Sequence, residues 1–154
     1  MGIDGCTVPI FGMSLYNMAL GFCKMANSGV LEEKYNSAAD RVFKAMTTAP
    51  EMVAGTGGFC TELMKNTGGR LIGKLGAEGV YCIGVKDMDL GIAIKIEDGS
   101  TRALWPTAVK CLEDLKVLGE GEKIILSKFK VKDNTNNIKD KVGEIFPDFH
   151  LNKN

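Results

Sequence analysis

With 154 residues the chain is sized for one domain with a real core, and 19 basic against 19 acidic side chains leave a formal net charge of zero. No basic stripe favours nucleic acid and no acidic tail is present. No apolar run is long enough to cross a bilayer, and the N-terminus lacks the basic-then-apolar order of a signal peptide, so a cytoplasmic protein is expected. In chain order, Phe11, Leu15, Met18, Phe22 and Met25 recur every three or four positions and predict a helix over 10–27, ended by Asn27-Ser28-Gly29. A second helix is predicted over 37–48, with Ala39, Val42, Phe43 and Met46 inward and Pro50 beyond its end. "AGTGGF" (54–59) reads as an exposed loop, and "CTELMKN" after it as a short helix. Apolar runs at 70–75, 79–85 and 89–97, separated by Gly- or Asp-containing turns, predict an antiparallel meander. A helix over 102–118 follows, with Ala108, Cys111, Leu112, Leu115 and Leu118 on one face and Trp105-Pro106 shaping its entry. Residues 122–131 read as a further strand and 133–137 as a turn. The pattern as a whole predicts an α+β fold, an antiparallel sheet covered by helices, in a single domain spanning 1–154.

Five cysteines (Cys6, Cys23, Cys60, Cys82 and Cys111) form no Cys-x-x-Cys pair and an odd count, as expected of reduced thiols in a reducing compartment. His150 is the sole histidine, which excludes a His-based triad or a multi-histidine zinc site built from this chain alone.

Lys74 is the residue that does not fit its surroundings. It stands inside an apolar strand, between Gly73 and Gly76. A strand lysine is ordinarily an edge residue whose head group reaches water. Glycines beside it weaken a strand and mark the close approach of another backbone or a ligand. In that setting an ammonium can bind a carboxylate or polarise a hydroxyl. Lys-x-Gly on an inner strand is also the arrangement of serine β-lactamases and penicillin-binding proteins. Glu78 begins the next strand, either as a solvated turn carboxylate or as a cross-hairpin partner of Lys74. Gly55, Gly57 and Gly58 match neither a phosphate loop nor a dinucleotide fingerprint. Met13, Met18 and Met25 read as core.

The segments "GIDGCTVPIFGMSL" (2–15), "VAGTGGFCTELM" (53–64), "GKLGAEGVYCIG" (73–84), "LGIAIKIEDG" (90–99) and "NIKDKVGEIFP" (137–147) together resemble the L-asparaginase II family, a class related in fold to serine β-lactamases and glutaminases. The resemblance implies hydrolysis of the side-chain amide of L-asparagine to aspartate and ammonia, with glutamine as the alternative substrate. It implies serine–lysine pairs at the site, with Lys74 as the strand lysine; Gly76 and Glu78, which follow it closely, are expected as substrate contacts. It implies a zinc site to which Cys6 gives a ligand, with Asp4 beside it, and a homodimer. Loop 54–59 is placed near the site by the same resemblance.

The family's Ser-x-x-Lys helix and Cys-x-x-Lys are absent. The one Ser-x-x-Lys here, Ser127 to Lys130, falls in the predicted last strand, where the two side chains would point apart. The chain is accordingly expected to be the C-terminal half of such an enzyme, with about 150–200 residues before Ile3. Alone, it is expected to release no ammonia. The competing expectation is a non-catalytic half that folds or binds a partner.

Overall fold

The computed structural model describes residues 1–152. A short hairpin opens the chain, β1 (Gly2–Ile3) against β2 (Pro9–Ile10). Next come α1 (Leu15–Ala26), α2 (Glu33–Thr48), α3 (Glu51–Ala54) and α4 (Phe59–Asn66). The central sheet holds β3 (Leu71–Gly76), β4 (Val80–Val85) and β5 (Leu90–Lys95), antiparallel and in sequence order. Helices α5 (Leu104–Asp114) and α6 (Glu120–Leu126) follow, and a last hairpin pairs β6 (Lys132–Thr135) with β7 (Lys141–Ile145). The α+β expectation holds, as does the meander, whose strands are each within two residues of their predicted ends.

Sheet alternation assigns the two faces. The register places Ile72, Lys74, Cys82, Gly84, Gly91 and Ala93 on one face, and Leu71, Gly73, Tyr81, Ile83, Ile92 and Ile94 on the other. Helix α1 covers the first face at unusually close range. A Cβ at Gly84 or Gly91 would collide with the backbone carbonyl oxygens of Phe22 and Ala19. The second face meets α4 and α5 in a core containing Leu63, Met64, Leu104 and Leu112. Phe59 stacks on Trp105 at 4.8 Å, and both rings pack against Tyr81 at 5.3 Å. Pro106 sits in the first turn of α5, where its missing N–H costs nothing.

Several boundaries differ from expectation for local reasons. Helix α1 begins at Leu15 because Ser14 is extended and its Oγ accepts the Asn17 N–H at 3.2 Å; residues 9–10 belong to β2. Phe11 therefore precedes the helix and is 71% exposed, not part of the inner stripe. Helix α2 begins four residues before the predicted start, at Glu33. Phe59 leaves the glycine loop to start α4 and is buried. Helix α5 ends at Asp114, and Lys116 adopts the left-handed conformation (φ 58°) that closes such ends, with the Val117 N–H donating to the Leu112 carbonyl at 2.9 Å.

The strand predicted over 122–131 is a helix followed by a single 3-10 turn. Glu122 caps α6 by accepting the Gly119 N–H at 2.8 Å, and it also takes Arg70 from the start of β3 in a two-oxygen contact at 2.9 Å. Of the apolar run Ile124-Ile125-Leu126, only Leu126 is buried. The predicted turn at 133–137 is displaced: 133–135 lie in β6, and the turn is built on Asn136, whose Oδ1 accepts the N–H groups of Ile138 and Asp140 at 3.1 and 2.9 Å.

Candidate functional site

Lys74 lies on β3, an edge strand of the central sheet, on the face covered by α1. The flanking glycines have separate explanations. Gly73 turns the other way, and a Cβ there would run into the Tyr81 hydroxyl and stand 2.8 Å from Leu63 Cδ2. Gly76 ends the strand, where a Cβ would lie 3.3 Å from that of its partner Val80. The lysine is exposed, and its Nζ donates to the carbonyl of Leu75 at 2.7 Å. Among the described residues it has no carboxylate partner.

The Lys74 ammonium also edges a cleft of about 370 Å³ between α1 and the sheet. Met13, Met18, Phe22, Met25, Leu75, Val80 and Cys82 make its wall apolar. Lys74 is the cleft's one charged side chain among the described residues, and Asn17 is the amide beside it. Asn17 was not singled out from the sequence, although an amide at position i+4 between Met13 and Gly21 on an apolar helix is a readable signal. Of the methionines read as core, Met25 packs against it, and all three line this opening.

Glu78 is not brought to Lys74. It occupies the β3–β4 turn with φ 59°, exposed, and its carbonyl is taken by the Lys95 ammonium. Loop 54–59 gives the cleft no residue. Ser127 begins the 3-10 turn after α6, and its hydroxyl donates to the Ile124 carbonyl at 2.7 Å. Lys130 pairs with Glu113 at 2.7 Å, so the two are held by different partners although the segment is not the strand expected.

Cys6 and Asp4 meet on the turn between β1 and β2. The Cys6 Sγ lies 3.6 Å from Asp4 Oδ2, while Asp4 Oδ1 accepts the Gly5 N–H at 2.7 Å. Thr7 takes a left-handed φ of 69°, which closes the turn and leaves the thiol exposed. Neither residue lines the cleft. A closed tetrahedral zinc site takes four donors, and no cluster of three or more His, Cys, Asp or Glu side chains exists among the described residues. These two residues do not by themselves fit a zinc ion. Cys111 offers no substitute: burial, then Asp114, push its thiol up to about 11.

No helix among the described residues is long and apolar enough to cross a membrane. None of the curated proteins compared matches the chain. The family model described as L-asparaginase II matches residues 1–147, a span that takes in the Cys6 turn, α1, the Lys74 strand and the closing hairpin. The chain belongs to the L-asparaginase II family.

Proposed function

We propose that the chain works in hydrolysis of the side-chain amide of L-asparagine, with Lys74 as its catalytic cation. The observation that carries this reading is a lysine without a carboxylate partner, on an open strand edge, at the rim of an apolar cleft, in a chain of the asparaginase family. In such hydrolysis a hydroxyl adds to the amide carbon, ammonia leaves with a proton, and water then releases the carboxylate. As an ammonium, Lys74 would polarise that hydroxyl or hold the substrate carboxylate, with Gly76 adding no side chain beside it. Glu78, whose carboxylate lies against Gly99, would at most shape the approach.

The hydroxyl is assigned to another segment, because no serine, threonine or tyrosine among the described residues lines the cleft. On this reading residues 1–154 form one unit, the C-terminal half of a cytoplasmic, dimeric enzyme of serine β-lactamase-like architecture. An edge Lys-x-Gly strand in a helix-flanked antiparallel sheet supports that ancestry. The purified chain should release no ammonia from asparagine, whereas the chain joined to a segment carrying Ser-x-x-Lys should do so continuously. Steady turnover by the chain alone, free of host enzyme, would contradict the assignment. Running glutamine in parallel decides the substrate.

The second reading is a half that binds a partner without turnover. It is favoured by exposed apolar side chains at the N-terminal end, among them Ile3, Phe11 and Tyr16. Cys6 would supply one zinc ligand in the joined protein, with the other donors coming from the added segment and Asp4 holding the turn through the Gly5 N–H. Cys6→Ser should then abolish the zinc affinity measured by titration, and Cys111→Ser should leave it intact. Equal affinity in both variants would remove Cys6 from the site.

A further inference from the structure

The face of the sheet opposite Lys74 carries an anomaly. Tyr81 is fully buried, and its hydroxyl is the one buried side-chain oxygen or nitrogen without a hydrogen bond among the described residues. Burial, and then the neighbouring Cys60, hold its ionisation well above the ordinary range, so it stays a neutral hydroxyl. A buried hydroxyl with no partner better than the weak Cys60 thiol is unfavourable, and phenylalanine would avoid it. The ring cannot swing away to find a partner, because Phe59 and Trp105 each pack against it with centroids 5.3 Å distant. The oxygen is thereby pressed against the inner face of β3 at Gly73, in the space a Cβ would need. The next residue on that strand, facing the other way, is Lys74.

We propose that Tyr81 is a positioning residue for Lys74. Its hydroxyl fills the hollow that Gly73 leaves and braces β3 from below, which fixes the height at which the Lys74 backbone, and so its ammonium, stands at the cleft. Glycine at 73 and tyrosine at 81 form one device: the first makes room and the second occupies it. The inference rests on the reading of Lys74 as the catalytic cation, and a displacement near 1 Å from a catalytic geometry can cost about 10²-fold in rate.

The test has two parts. In the chain itself, thermal midpoints are compared for wild type, Gly73→Ala, Tyr81→Phe and the double variant. Gly73→Ala should lower the midpoint by several degrees, and Tyr81→Phe should remove part of that loss, the clash with Leu63 remaining; additive effects would show that the contact does not bear load and would overturn the proposal. In the joined enzyme, Tyr81→Phe should lower kcat by roughly tenfold or more with KM little changed and the midpoint not reduced. In a Lys74→Met background, Tyr81→Phe should cost nothing further. If Lys74→Met destroys turnover while Tyr81→Phe leaves kcat intact, the brace is wrong and the assignment of Lys74 stands. If Lys74→Met leaves turnover intact, the assignment of Lys74 fails and the positioning role falls with it, whatever the midpoints show.

Discussion

Gly84 and Gly91 face each other across β4 and β5, and both lie beneath the backbone of α1. The obstacles above them are the carbonyl oxygens of Phe22 and Ala19, which cannot rotate aside as a flexible side chain can. Gly91→Ala therefore requires the helix to rise, and overpacking of this kind costs about 1–3 kcal/mol. Gly21 is the contrast: it lies inside α1 with nothing within 4 Å of an added Cβ. Gly21→Ala should raise stability by about 0.5–1 kcal/mol, because alanine holds a helix better than glycine. Urea denaturation of both variants checks the pair. A neutral Gly91→Ala would mean that α1 does not lie as close to the sheet as the structure has it. The same residues show a limit of sequence reading. Gly84 and Gly91 could be seen to interrupt apolar strands, but only the fold reveals that a helix backbone occupies the space they leave.

Among the elements, α5 shows how the end of the chain is tied down. Asp114 pairs with Lys110 one turn earlier at 2.5 Å and accepts the backbone N–H of Leu151 at 3.1 Å. His150 lies near both, its Nδ1 3.0 Å from the Lys110 ammonium and 3.9 Å from Asp114 Oδ2. The Lys110 hydrogen bond, followed by that from Leu151, holds the Asp114 carboxyl below its ordinary value of 3.8. A carboxyl lowered by folding contributes stability that is complete above its unfolded value and lost as pH falls through the folded one. Asp114→Asn should therefore lower the thermal midpoint at pH 6, and the difference from wild type should shrink as pH drops below about 4. Hydrogen exchange should show residues near 151 opening in the variant. A midpoint difference that is the same at pH 6 and pH 3 would show that the carboxylate charge plays no part.

Elements were legible where local chemistry was unambiguous. The meander could be read because glycine and aspartate mark each turn; Glu78, Asp87 and Asp89 adopt the positive φ such turns demand. The helix at 120–126 was not, because three apolar residues in a row fit either period and the deciding contact, Arg70 on Glu122, joins positions 52 residues apart. The strand β6 is exposed throughout, so no alternation of apolar and polar residues could announce it. Its partner β7 is the reason it exists.

For the molecule as a whole, the fold carries one cation to the rim of an apolar cleft and leaves that rim open. Sequence alone could nominate Lys74, since a lysine between glycines within an apolar strand is out of place. It could not show the cleft, which forms only where α1 crosses the sheet and Met13, Asn17 and Phe22 come to face β3 and β4. Nor could it show that the Glu78 carboxylate lies against Gly99, or that Gly73 makes room for Tyr81. The account's central claim is that Lys74 acts on the reacting amide. Its most direct test is kcat for asparagine hydrolysis by the joined enzyme carrying Lys74→Met and Lys74→Arg, alongside the thermal midpoint of each. A cation that assists a nucleophile or steadies developing charge contributes ~10²-fold or more, about 3 kcal/mol of barrier. A solvated strand lysine contributes roughly 0.5 kcal/mol or less to stability. The account predicts that both variants lose at least that hundredfold in kcat, arginine included because its planar fork cannot replace a compact ammonium, with midpoints within a few degrees of wild type. Retention of most activity by both would show that Lys74 is a solvated edge residue, and would contradict the account.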